Sequence, residues 1–84
     1  GRGTVDHTPL YPREIAKRAL ELGAVAVILV HNHPSGDPTP SPEDLASTRR
    51  VVDALAAVDV AVYDHVVVGR GGQTSFRERG LLQP

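Results

Sequence analysis

Residues 24–31 read AVAVILVH and residues 60–69 read VAVYDHVVVG, two apolar runs rich in β-branched side chains. Between them, from Ser41 to about Val58, Leu45, Thr48, Val52, Leu55 and Ala56 recur at helical spacing. A long helix joining two apolar strands is a crossover, so the strands are expected to pair in parallel through a right-handed connection. Continuous runs of this kind predict strands buried on both faces. Upstream, Pro12 suits a first helical position with Glu14 in the first turn. Ile15, Ala19, Leu20 and Leu22 form a stripe that Gly23 ends, which predicts a helix over residues 12–22. A loop over 32–40, a turn over 70–73, a short strand over 74–76 and a closing helical turn over 77–82 complete the reading. Thr4-Val5 is read as a short extended piece and His7 as a polar loop residue. Tyr11, Tyr63 and Phe76 are read as packing residues. The fold class is α/β, helices against a small sheet, in one domain over residues 1–84.

The chain has 84 residues and no cysteine, so disulfides and thiolate metal sites are excluded. A domain this small has a thin core and often depends on a metal or a partner. The net charge is −1, which does not favour non-specific nucleic-acid binding. Arg49 and Arg50, or Arg70, Arg77 and Arg79, are candidate phosphate contacts, with a solvated helix face and a charged turn as the alternative. No apolar run approaches the ~20 residues of a membrane span, and no signal peptide is visible, so a cytoplasmic location is expected. There is no methionine, and the first helix lacks a preceding strand. Both suggest that sheet lies upstream, and a truncated sheet edge would pair with a second copy to make a homodimer.

Chemistry is concentrated in residues 30–45, VHNHPSGDPTPSPEDL. His31 and His33 are two apart at a strand end, so both rings point to one side while Asn32 points away. Strand ends of open α/β sheets are common ligand sites. Two histidines and one carboxylate form a known zinc set that leaves a position for water. Asp44 is the carboxylate candidate, and the prolines of the loop lower the entropic cost of bringing it back. Another reading explains part of this without a metal. Ser41 as N-cap, Pro42 at N1 and Asp44 at N3 start a helix well, and histidines can simply finish a strand.

The string from His31 to Asp44 fits His-x-His-Pro-x6-Ser-x2-Asp and resembles the signature of JAMM/MPN metalloproteases. With GTVDHTPLYPREIAKRAL, YDHVVVG and SFRERGLL, it resembles the bacterial RadC family over essentially the whole chain. The resemblance implies a JAB1/MPN-like, cytidine-deaminase-like three-layer fold, with residues 1–84 as the C-terminal part of a RadC-type JAMM/MPN domain. It implies Zn2+ as cofactor, with His31, His33 and Asp44 as metal ligands. Ser41 would be the catalytic hydroxyl that stabilises a developing oxyanion. The implied activity is amide or isopeptide hydrolysis of a peptide or protein substrate. The family's general base is a glutamate on a strand before the first helix. This sequence has no counterpart to it, because Glu14 and Glu21 lie on that helix. Metal binding by this chain is therefore implied more directly than catalysis. Asp64 or His65 is a candidate partner for a ring N–H of a ligating histidine, with a polar pair at a strand edge as the alternative.

Other histidine chemistries fit less well. The letters HNH are consecutive here, whereas in the nucleases of that name they are dispersed over a ββα motif. A barrel hydrolase needs far more chain, and zinc deaminases need cysteines. A non-catalytic metal-binding or interaction module in DNA repair or processing is the competing function class.

Overall fold

The structure, a computed structural model, describes residues 10–82. Thr4, Val5 and His7 lie outside them. The element order is α1 (Pro12–Glu21), β1 (Ala26–Asn32), α2 (Pro42–Ala56), β2 (Ala61–Gly69) and β3 (Gly72–Ser75). The sheet order is β1-β2-β3, with β1 and β2 parallel and β2 and β3 antiparallel. The expected α/β architecture, helices packed on a small mixed sheet, is what is observed.

Both helices hand over to their strands in the same way. After α1, the Gly23 N–H reaches the Leu20 carbonyl at 3.1 Å and the Ala24 N–H reaches Ala19 at 2.9 Å. Gly23 has φ +65°, the left-handed residue that this paired closure requires. After α2, Asp59 takes that place with φ +62°, and the Val60 N–H reaches the Leu55 carbonyl at 2.9 Å. Aspartate is one of the few side chains that tolerate this region. Each closure turns the chain straight from a helix into a core strand.

The core gathers Ala19 from α1, Val51 and Leu55 from α2, and Val60, all buried. Val27 and Leu29 of β1 and Val62 of β2 pack against it. Both helices therefore cover one face of the sheet. The opposite face is uncovered among the described residues, with Ile28 58%, Val30 69% and Tyr63 52% exposed. This differs from the expected two-sided burial. An unbroken apolar run shows that neither face needs to be polar, and here the described elements cover one face alone.

A single extra residue decides what the core face of β2 carries. Val27 pairs with Val62 but Ile28 pairs with Asp64, so Tyr63 is bulged out. Beyond the bulge, His65 and Val67 point inward and are fully buried. Asp64 stays off the core face and accepts from the Ser75 hydroxyl at 2.6 Å and from the backbone N–H groups of His65 and Arg77 at 2.7 and 2.9 Å. Desolvation pushes the Asp64 carboxyl upward, but these donors and the Arg77 charge together hold it below its usual value. Arg77 also stacks over the Tyr63 ring at 4.4 Å. The segment after β3 makes one turn, closed by a Leu81 N–H to Phe76 carbonyl bond of 2.8 Å with Gly80 at φ +71°, and does not continue as a helix.

β2 and β3 join through Arg70-Gly71, a two-residue hairpin between the paired Gly69 and Gly72. The strand therefore starts two residues before the expected 74. This hairpin braces the loop after β1. The His33 N–H donates to the Val68 carbonyl at 2.7 Å. A Cβ on Gly69 would run into the Gly36 backbone, 2.7 Å from its carbonyl carbon, and sit 3.1 Å from Pro38 N. A Cβ on Gly71 would meet nothing closer than 3.7 Å.

Two expectations follow. Gly69→Ala should lower stability by about 1–3 kcal/mol through overpacking of backbone on backbone, with Gly71→Ala near neutral in urea melts; equal midpoints for the two would contradict the bracing. The second concerns His65, which is fully buried between Thr48 and Phe76. Burial lowers its pKa from 6.5 to about 4, helped by His31 and His33 against the carboxylates of Asp44 and Asp64. An unfolded chain takes up this proton below 6.5 while the folded ring refuses it. Stability should thus fall as pH drops from about 6.5 to about 4, by a limit of about 3 kcal/mol. Urea melts in chelator at pH 7.5 and 5 should show a loss in the wild type that is smaller in His65→Phe, and equal losses would contradict it.

Candidate metal centre

His31 lies near the C-terminal end of β1 and His33 just beyond it. The pleat turns both to the helix-covered side, where they are 5% and 2% exposed. Their rings meet edge to face at 4.9 Å. Chain direction reverses through Gly36, at φ +97°. Asp37 organises the rest of the loop, its Oδ1 accepting the Thr39 N–H at 3.0 Å. The chain then enters α2 at Ser41.

Asp44 serves two purposes at once. Its backbone N–H donates to Ser41 Oγ at 3.0 Å, and its Oδ2 accepts the Ser41 N–H at 2.7 Å, a reciprocal cap on α2. The same carboxylate stands 3.3 Å from His31 Nδ1 through Oδ1 and 3.1 Å from His33 Nε2 through Oδ2. Asp44 is 2% exposed. Helix start and metal ligation therefore do not exclude each other; the one side chain that caps α2 also stands against both histidines.

One atom from each of His31, His33 and Asp44 falls within 4.8 Å of the others, so the three could hold a metal ion. The hydrogen bonds test that fit. His33 Nδ1 is 2.8 Å from the Asp37 carbonyl, a contact in which the ring nitrogen must donate. On a neutral ring the Nε2 lone pair then faces a carboxylate oxygen at 3.1 Å. Two acceptors at that distance need a positive charge between them, a proton or a metal ion. A tetrahedral zinc with ligands at about 2.0–2.2 Å places neighbouring ligand atoms about 3.3–3.6 Å apart. The two histidine–carboxylate separations, 3.1 and 3.3 Å, run to different oxygens of Asp44, and the three-atom set spans up to 4.8 Å, so closing on an ion needs a small inward shift of the side chains. The Asp37 carbonyl is also the kind of partner that fixes a ligating histidine's orientation. The residues present fit a zinc ion.

Ser41 is half-buried beside this cluster. Its Oγ accepts from the Asp44 N–H, which leaves the hydroxyl hydrogen for a further acceptor. Glu14 and Glu21 are exposed on α1 and take no part. Neither candidate supporting residue hydrogen-bonds a ring N–H of His31 or His33: Asp64 faces Ser75 and Arg77, while His65, the one that lies on the cluster side, bonds Thr48 through Nδ1 and leaves Nε2 without a hydrogen-bond partner among the described residues. His65 stacks nearly parallel to His31, with centroids 6.0 Å apart. The bulge at Tyr63 makes that choice, and no residue pattern announces it. The Asp37 carbonyl, Gly69 and Thr48 were not foreseen; a backbone acceptor and a steric contact carry no side-chain signal. Arg49 pairs with Asp53 at 3.7 Å, and Arg50 donates to Ser47 Oγ at 3.3 Å. Among the described residues, no helix is long and apolar enough to cross a membrane.

A UPF0758 protein of Rhodobacter capsulatus is 60% identical over 81 residues, covering 96% of this chain and 38% of the relative. A UPF0758 protein of Ruegeria pomeroyi is 58% identical over 81 residues, covering 96% of this chain and 36% of the relative. The chain thus spans little more than a third of the length of these curated relatives. The family model described as RadC-like JAB domain matches residues 1–81. The chain belongs to the RadC-like JAB domain family.

Proposed function

We propose that the chain is the metal-binding part of a zinc-dependent metallohydrolase domain that acts on amide or isopeptide bonds. One observation carries the reading. Three buried side chains of the right type converge, with His33 Nε2 facing a carboxylate oxygen across a gap that a metal ion or a proton would bridge. His31, His33 and Asp44 would hold the ion. Zinc in such a set supplies Lewis acidity, polarising a carbonyl and lowering the pKa of water toward ~7.

The chain's own residues do the rest. The Asp37 carbonyl holds the His33 tautomer, and the Ser41 N–H holds one oxygen of Asp44. The Ser41 hydroxyl, anchored by the cap, is set to donate to a carbonyl oxygen gaining negative charge. A general base is the piece that the described residues do not supply. Its lack typically costs about 10²–10⁴-fold in rate. This chain alone is therefore expected to bind zinc and turn over slowly, with full activity belonging to the longer protein. The substrate is a peptide or a protein in this reading.

Elemental analysis after dialysis against metal-free buffer should find near-stoichiometric zinc on the wild-type chain and little on His33→Ala. Zinc should also raise the melting temperature of the wild type alone. Zinc-free protein after reconstitution would remove the reading. In the full-length protein, chelation should abolish hydrolysis of a peptide panel. Ser41→Ala should lower the rate by roughly 10²–10³-fold with zinc retained, alongside a cap loss of about 0.5–2 kcal/mol. An unchanged rate would take the oxyanion role from Ser41.

A further inference from the structure

The ligand set leaves a third buried histidine unused. His65 has no exposed surface. Its Nδ1 is 2.6 Å from the hydroxyl of Thr48, itself buried on α2 one turn after Asp44. Its ring lies between two others. Phe76 is 4.5 Å away on a 28° tilt, and His31 is 6.0 Å away on a 13° tilt. Nε2 is buried with no hydrogen-bond partner among the described residues.

As a packing residue, His65 is a poor choice. A phenylalanine, though its ring is larger, would stack on Phe76 and leave no buried nitrogen without a partner. The Thr48 bond is what phenylalanine could not make. A ring held only by stacking can turn about its terminal torsion, which is broad for aromatic side chains. A ring anchored through Nδ1 to a helix has its plane set. That plane is nearly parallel to the ring of His31, so the anchored ring limits the tilt of His31. Helix α2 thereby acts on the cluster twice, through Asp44 and, one turn on, through Thr48.

We propose that Thr48 and His65 form a buried positioning pair for the metal centre, fixing the plane of His31 so that its ligating nitrogen is aimed before an ion arrives. The inference rests on the zinc reading above. His65 is a positioning residue and makes no contact with the ion. Residues that orient ligating histidines typically contribute roughly 10–100-fold to metal affinity. The pair would then be retained for the site, at some expense to the stability of the metal-free fold.

The test separates aim from packing. Zinc dissociation constants by chelator competition, Co2+ ligand-field spectra and metal-free melting temperatures are measured on the whole chain. The variants are His65→Phe, Thr48→Val and Thr48→Ser. Without metal at neutral pH, His65→Phe should melt within a few degrees of the wild type, the larger ring offsetting the removal of an unpartnered nitrogen and the Thr48 hydroxyl turning to the carbonyl four residues back. It should nevertheless bind zinc roughly 10–100-fold more weakly and show an altered Co2+ spectrum. Thr48→Val should shift both in the same direction, and Thr48→Ser, which keeps the hydroxyl, should restore them. Wild-type affinity and spectrum in both His65→Phe and Thr48→Val would overturn the pair. Should His65→Phe not fold, the contrast between Thr48→Val and Thr48→Ser decides. Absence of zinc from the wild-type chain would instead defeat the metal reading, and this inference with it.

Discussion

The carboxylate of Asp44 is the interaction on which the rest of the site depends. It begins α2 by accepting the Ser41 N–H, and it lies between the two histidine rings. A helix start is among the better defined points in a fold, because its N–H groups must find acceptors. Using that point to carry a ligand ties the position of the ligand to the formation of the helix. The histidines arrive independently, from the end of a strand whose pairing with β2 extends through Asn32. The loop between them needs only to be short and stiff. Its prolines and the hairpin behind Gly36 make it so.

Most of this could be read along the chain. Pro12, Gly23, Ser41 and Pro42 punctuate the helices for local steric reasons, and the length and β-branched content of the two apolar runs favour strands. His31 and His33 share a side because a pleat has a period of two. The capping residues and the ligand were legible as competing explanations of the same letters. Only three dimensions show that they coexist in one carboxylate. The unread parts have a common cause, since each depends on where two distant segments meet. The bulge at Tyr63 cannot be foreseen from β2 alone. Without it, alternation places Asp64 on the core face and His65 outside. Burial on both sheet faces was inferred from hydrophobicity, a property of the strand and not of what covers it.

The three rings of His33, His31 and His65 form a graded series. His33 is tied to a backbone carbonyl in the loop, His31 is wedged between its neighbours, and His65 is tied to a helix hydroxyl deeper in the core. Polar groups buried this deeply oppose folding unless something compensates for their lost hydration. For the outer two, a cation held between nitrogen and carboxylate would do so. For the innermost ring, Thr48 compensates in part. Binding at such a centre would add to the stability of the fold around it.

The uncovered face of the sheet bears on how such a molecule behaves in solution. Ile28 and Val30 of β1 and Tyr63 of β2 leave exposed apolar surface, and the outer edge of β1 is open among the described residues. With a net charge of −1 and a pI near 6.4, little long-range repulsion keeps copies apart. Crowding the chain and bringing it toward mildly acidic solution both favour strand-to-strand addition. Dilute, slightly alkaline solution, where the net charge is larger, is therefore the condition in which the site can be observed on separate copies.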